Sequence, residues 1–270
     1  MLTATLAPDI AAEPGHNAVL RELLRTSRIE RAGGGALTLN HPEFPDAQSH
    51  IDRATGELLQ RLIAALRPSR TLEVGLAYGI SALFICEALA ALDNGAVHTI
   101  IDPFQRGKWQ GLGLEHLRRA GYARLIDFRE EPSEIVLPAL LSSGVSVQLA
   151  FIDGLHRFEQ VMTEFYYVNR LLSAGGVVVF DDADRRSVSR AIRHALTYPC
   201  YEVLATSAPP APPTSWRGQL RRRAARLRSA QRLLRPDVLV RDWDLGIGAR
   251  CVALRKTSDD DRHTYFDRDF

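Results

Sequence analysis

Lysine is nearly missing from this chain of 270 residues: among 34 basic residues only Lys108 and Lys256 are lysines. Cysteine is scarce too. Cys86, Cys200 and Cys251 are odd in number and widely spaced, with no CxxC pair and no Cys/His cluster. That excludes a disulfide framework and a structural zinc site, and points to a reducing, cytoplasmic setting. Long apolar runs are absent. The best, Gly79 to Leu92, is interrupted by Glu87 and falls short of the ~18 residues that would cross a membrane. The first residues, MLTATLAPDIAAEPGH, lack a basic start followed by an apolar run, so no signal peptide is expected. With 46% hydrophobic and 24% charged residues, disordered and collagen-like classes are excluded, and the length allows one large domain or two small ones.

What is present is an alternation. After a helical stretch over about 17–31, a Gly33-Gly34-Gly35 breaker and a proline-containing loop, Leu58, Leu59, Leu62, Ile63 and Leu66 recur at helical spacing up to Pro68. Short apolar runs follow at Thr71–Val74, Val97–Ile101, Leu125–Phe128, Val147–Ile152 and Val177–Phe180, separated by helical patterns. Two further strands are expected near Tyr201–Ala205 and Arg250–Leu254, with a long excursion between them that permits antiparallel pairing. Apolar strands alternating with helices of this length read as an α/β fold: a doubly wound, mostly parallel sheet of seven strands, covered on both faces. The organisation expected is an N-terminal helical cap (1–50), a main domain (51–256) with an insertion at 206–248, and a mobile acidic tail (257–270).

Four of these strands end in acids: Glu73, Asp102, Asp153 and the pair Asp181-Asp182. Parallel strands finish on one edge, where open α/β sheets bind their ligands, so these carboxylates are expected to converge on one rim. Gly75 and Gly79 after the first strand allow a tight turn and a close approach to a ligand. A dinucleotide fingerprint would need glycine at 77 and 80, where Ala77 and Ile80 stand, and no phosphate loop is present. Asp102 falls 27 residues after Gly75 and suits a carboxylate that receives ribose hydroxyls.

At this point LEVGLAYGISALFI, TIIDPF, REEPSEIVLPAL and FIDGLHRFEQV…LLSAGGVVVFDD together resemble the class I S-adenosylmethionine-dependent methyltransferases, over roughly Leu58 to Leu196. The last stretch is similar to the metal-dependent O-methyltransferases and to bacterial enzymes that act on sugars and natural products. The resemblance implies a Rossmann-like methyltransferase fold. It also implies that Glu73, Gly75, Tyr78, Gly79, Ser81, Asp102, Ser133 (with Glu131 beside it) and Asp153 hold S-adenosylmethionine. Asp153, Asp181 and Asp182 would repel one another without a cation, and an all-oxygen set favours Mg²⁺ or another divalent ion. Where such enzymes often carry a lysine base, this chain has His156, whose ordinary pKa suits proton removal near neutrality. His41 is a second histidine that could reach the site. The activity implied is metal-assisted O-methylation of a small hydroxylated acceptor, a sugar or a catechol-like natural product, whose pocket the cap and insertion help to shape.

The remaining feature is basic. Eight arginines crowd Arg217–Arg235 after a proline-rich spacer, with no acid among residues 206–236. An anionic partner, an acidic membrane surface, and an amphipathic lid or dimer helix are all open readings, and a homo-oligomer stays open with them. Two alternatives to a small-molecule enzyme follow: a nucleic-acid methyltransferase gripping phosphates with this stretch, and a non-catalytic cofactor-binding module.

Overall fold

The structure, a computed structural model, describes residues 17–26, 28–30, 36–38, 50–208, 240–266 and 268. The arginine-rich stretch Arg217–Arg235, most of the expected insertion, the Gly33–Gly35 breaker and His41 lie outside the described residues. The N-terminal helix is shorter than its pattern predicts. Helix α1 (Ala18–Thr26) is followed by strands β1 (Arg28–Glu30) and β2 (Ala36–Thr38), an antiparallel pair in the register Arg28↔Thr38. Val19, Leu20 and Leu23 of α1 are buried in the core, and Asn17 Nδ2 donates to Ala120 O at 3.0 Å.

The main body alternates helix and strand in chain order. It runs α2 (Arg53–Leu66), β3 (Arg70–Val74), α3 (Ile80–Leu92), β4 (Val97–Ile101), α4 (Leu112–Arg119), β5 (Ile126–Arg129), α5 (Ser133–Ser142) and β6 (Val147–Ile152). It continues with α6 (Phe158–Leu171), β7 (Leu172–Phe180), α7 (Arg186–Ala195), β8 (Tyr201–Thr206) and β9 (Val252–Lys256). Asp52 starts α2 by accepting the Thr55 amide at 2.7 Å, and a left-handed Arg67 before Pro68 stops it. The sheet order is β5-β4-β3-β6-β7-β9-β8, in which β3 to β7 pair in parallel and β9 runs antiparallel between β7 and β8. The seven-stranded, mostly parallel sheet expected from the sequence is therefore the one that forms.

The period of two along each strand divides the core. Leu149, Phe151, Val177 and Val179 face one apolar cluster with α1 to α3, while Ala150, Ile152, Val178 and Phe180 face the other with α5 to α7. The order in which strands are laid down reverses between the parallel neighbours β3 and β6, and a ligand crevice opens at the carboxyl ends of strands at such a point. The chain returning at Val240 is clamped onto α7: Arg193 Nε and Ser189 Oγ both donate to Asp242 at 2.7 Å. Lys256, almost fully buried, donates from Nζ to Asn169 O (2.7 Å) and Leu172 O (2.8 Å) at the end of α6. The tail expected to be mobile is anchored at its start, since Asn169 Nδ2 holds Asp260 at 2.8 Å and the Arg262 guanidinium lies over the Tyr198 ring. Among the described residues no helix is long and apolar enough to cross a membrane.

Helices α2 and α3 touch through Gly56, where an added Cβ would stand 2.5 Å from the fully buried Phe84 ring. Overpacking of this kind costs about 1–3 kcal/mol. Gly56→Ala is expected to lower the unfolding free energy by that amount, read as a lower urea midpoint with the m-value unchanged.

Candidate active site

The turn that leaves β3 is held by one carboxylate. Asp102, directly after β4, accepts the amides of Leu76 (3.2 Å) and Ala77 (2.9 Å) and the Gln105 side chain (3.2 Å) on Oδ2. Its Oδ1 takes only the Phe104 amide, at 2.9 Å, so lone-pair capacity remains there for a ligand hydroxyl. Buried Gln105 completes the brace by donating to Ala77 O (2.9 Å) and accepting from Gly113 N (3.1 Å). Gly75 has φ +95°, and a Cβ on it would lie 2.1 Å from Asp153 O, so only glycine lets β3 and β6 close up here.

Beyond this turn lies a cavity of about 590 Å³, within the size range of small-molecule sites. Gly75, Asp102, Ser133, Asp153, His156, Asp181 and Asp182 all line it. Tyr78, Gly79, Ser81 and Glu73 do not. Glu73 sits inside β3 rather than after it and is fully buried, with Oε2 on His98 Nε2 (2.8 Å) and Oε1 taking the Ser81 hydroxyl. His98 Nδ1 meets Thr71 Oγ1 at 2.9 Å, so both carboxylate oxygens and both ring nitrogens are used internally. In this structure Glu73 and Ser81, expected from the resemblance to hold the cofactor, lock β3 to β4 and to the start of α3. Tyr78 packs edge-on against Trp109 with ring centroids 5.1 Å apart, and its carbonyl accepts from His116 Nδ1 at 2.8 Å. Glu131 is exposed and away from the cavity.

At the far end, Ser133 begins α5 and donates to Glu164 Oε1 at 2.9 Å, while Gln160 Nε2 donates to Ser133 Oγ at 2.8 Å. Glu164, a residue the sequence reading passed over, is buried on α6 and lines the cavity; its Oε2 has no hydrogen-bond partner among the described residues. Burial pushes its pKa up to about 7 against the opposing bonds from Ser133 and Gln160. An acid within the buried stripe Val161, Phe165, Val168 was the available signal. Lys108 and Trp109 also reach this cavity, the ammonium lying 4.2 Å from the indole centroid.

The acidic rim is the second half of the site. Asp181 and Asp182 follow β7, and Asp182 adopts φ +50°. Asp182 Oδ2 lies 3.1 Å from His156 Nε2 and 2.8 Å from Arg185 Nε. Arg250 Nη2 donates to Asp181 Oδ2 at 3.2 Å, and its Nε lies 3.7 Å from Asp182 Oδ1. Burial, then the charges of Asp181, Asp182 and Glu73, drive the Asp153 pKa well above the carboxylate range. Burial likewise lifts Asp181, to about 6, against the pull of Arg250. Burial lowers the His156 pKa and outweighs the opposing charge of Asp182; Arg185 and Arg250 lower it further.

The carboxylates expected to bind Mg²⁺ do reach one rim, but their arrangement does not fit a divalent ion. Among the described residues no three acidic, histidine or cysteine side chains could hold one. Asp181 Oδ2 and both oxygens of Asp182 face guanidinium groups, and buried Asp181 Oδ1 has no hydrogen-bond partner among the described residues.

Residues 72–183 match a family described as a methyltransferase domain. A probable caffeoyl-CoA O-methyltransferase of Arabidopsis thaliana is 29% identical over 156 residues, covering 54% of this chain and 60% of that protein. A caffeoyl-CoA O-methyltransferase of Populus kitakamiensis is 28% identical over 181 residues, covering 64% of this chain and 67% of its own. The chain spans about half the length of most of the curated relatives it matches. Among solved structures, the O-methyltransferase TomG of Streptomyces achromogenes, in complex with S-adenosylmethionine, superposes with a TM-score of 0.53 at 20% identity over 69% of this chain and 81% of that one; this likeness concerns the fold. The sheet order thus accompanies a methyltransferase-domain match over residues 72–183, and caffeoyl-CoA O-methyltransferases are among the proteins this chain is similar to.

Proposed function

We propose that this protein methylates a hydroxyl of a small acceptor, with S-adenosylmethionine as donor and His156 as the base. The observation that carries the reading is the His156–Asp182 pair, 3.1 Å apart, on the wall of the cavity that Asp102 and Ser133 also line. When bound, the donor supplies an electrophilic methyl group on its sulfonium. Asp102 Oδ1 retains capacity for a ribose hydroxyl, and the unpartnered Glu164 Oε2 is an acceptor suited to the adenine amine.

His156 is held for proton transfer. With its Nε2 proton directed to Asp182 Oδ2, Nδ1 carries the lone pair that takes the acceptor's hydroxyl proton. Asp182 then stabilises the imidazolium, as the new O–C bond forms and the S–C bond breaks. The chain's further contribution is positioning of the acceptor oxygen in line with the methyl group. Phe104 and Leu155 line the cavity while remaining 46% and 48% exposed, and Trp109 lines it as well. These apolar surfaces suit an acceptor whose hydroxyl is carried on an aromatic ring, the catechol-like alternative, better than a sugar.

Calorimetry with S-adenosylhomocysteine is the primary test, and absence of binding would sink the reading. Asp102→Asn sets an amide where two backbone N–H groups need an acceptor, and is expected to weaken binding by about tenfold or more. Glu164→Gln is expected to reduce the preference for S-adenosylhomocysteine over its inosine counterpart, which lacks the amine.

For turnover, a panel of catechol and sugar acceptors would be screened by product mass. His156→Asn is expected to lower kcat by about 10²–10⁴-fold, with cofactor affinity retained. The base works only when neutral, so the rate rises with pH through the pKa of His156 and then levels. Because the folded protein lowers that pKa from 6.5, the acid limb of the profile is expected below 6.5 and is expected to vanish in His156→Asn.

A further inference from the structure

Three carboxylates share this rim, and one side chain that the sequence pattern did not single out stands among them. Arg250 directly precedes Cys251 and strand β9 and is held on three sides. Its Nη2 donates to Asp181 Oδ2 (3.2 Å) and to His50 O (3.1 Å), while its own carbonyl accepts the Ala183 amide at 2.7 Å. The guanidinium is thus fixed by the chain on both sides of the acidic pair rather than by a flexible surface contact. Its Nε is buried and makes no hydrogen bond among the described residues, although Asp182 Oδ1 lies 3.7 Å away. Arginine cannot release its proton in a protein, so this positive charge is permanent. A divalent ion would need its oxygen donors at roughly 2.0–2.6 Å, which the Arg250 contacts to Asp181 and Asp182 oppose both sterically and electrostatically.

We propose that Arg250 is the resident cation of the acidic rim, taking the position a divalent metal would need, so that this site works without one. The proposal rests on the methyltransferase reading of the cavity and deepens it. Arg250 balances Asp181 and Asp182, through Nη2 to the first and with Nε beside the second. A metal-binding relative and this chain would then use one rim with different cations, one recruited from solvent and one built into the sequence.

The test is a Mn²⁺ titration of the full chain followed by electron paramagnetic resonance, alongside calorimetry with S-adenosylhomocysteine. For the wild type, Mn²⁺ is expected to stay free below millimolar concentration. Cofactor affinity is expected to be the same in EDTA and in Mg²⁺. Arg250→Met and Arg250→Gln remove the charge, and each is expected to raise Mn²⁺ affinity by about tenfold or more. Adding Asp181→Asn to either variant is expected to abolish that gain. Stoichiometric, Mg²⁺-competed Mn²⁺ binding by the wild type overturns the proposal without recourse to any variant. So does a folded Arg250→Met or Arg250→Gln that binds Mn²⁺ no better than the wild type. Failure of S-adenosylhomocysteine to bind would instead overturn the methyltransferase reading, and the Mn²⁺ titration would still be interpretable.

Discussion

One carboxylate shapes the ligand crevice. By accepting the Leu76 and Ala77 amides on one oxygen, Asp102 ties the end of β4 to the turn after β3, beside the point where sheet order reverses. Gly75 can then pass within van der Waals range of the Asp153 backbone, and Gln105 seals the turn from the other side. Gly75, Asp102 and Asp153, which meet at this turn, all line the cavity. Every residue assigned to the cofactor half of the site is placed relative to this brace.

The other half obeys electrostatics. Three acids at the ends of two strands are unfavourable in a poorly solvated rim unless positive charge accompanies them. Arg185 and Arg250 supply it, and His156 is drawn to the same Asp182 oxygen as Arg185. Burial lowers the His156 pKa against the pull of Asp182, and the cations that balance the carboxylates, Arg185 and Arg250, lower it further.

Much of this was legible in the residue order. Strand and helix periodicities gave the sheet, and acids directly after strands gave Asp102, Asp153, Asp181 and Asp182 as neighbours. Glu73 differs because it lies within its strand, where side chains alternate between faces; it turns to the helical layer and meets His98 from the adjacent strand. Tyr78 and Ser81 belong to the same buried layer. Arg250 was hidden by sequence distance, yet a rule finds it. An antiparallel strand begins on the edge where its parallel neighbours end, so the residues just before β9 must fall on the rim. Glu164, Gln160 and Lys108 come from helix and loop positions whose aim depends on packing that periodicity does not encode.

The scarcity of lysine has a practical side. Of the two lysines, Lys256 is sealed at the end of α6 with its ammonium committed to two carbonyl oxygens. Lys108 is exposed and lines the cavity against Trp109. The chain therefore carries its only accessible side-chain amine at the ligand site, and a reagent selective for primary amines becomes a natural reporter of whether that site is filled.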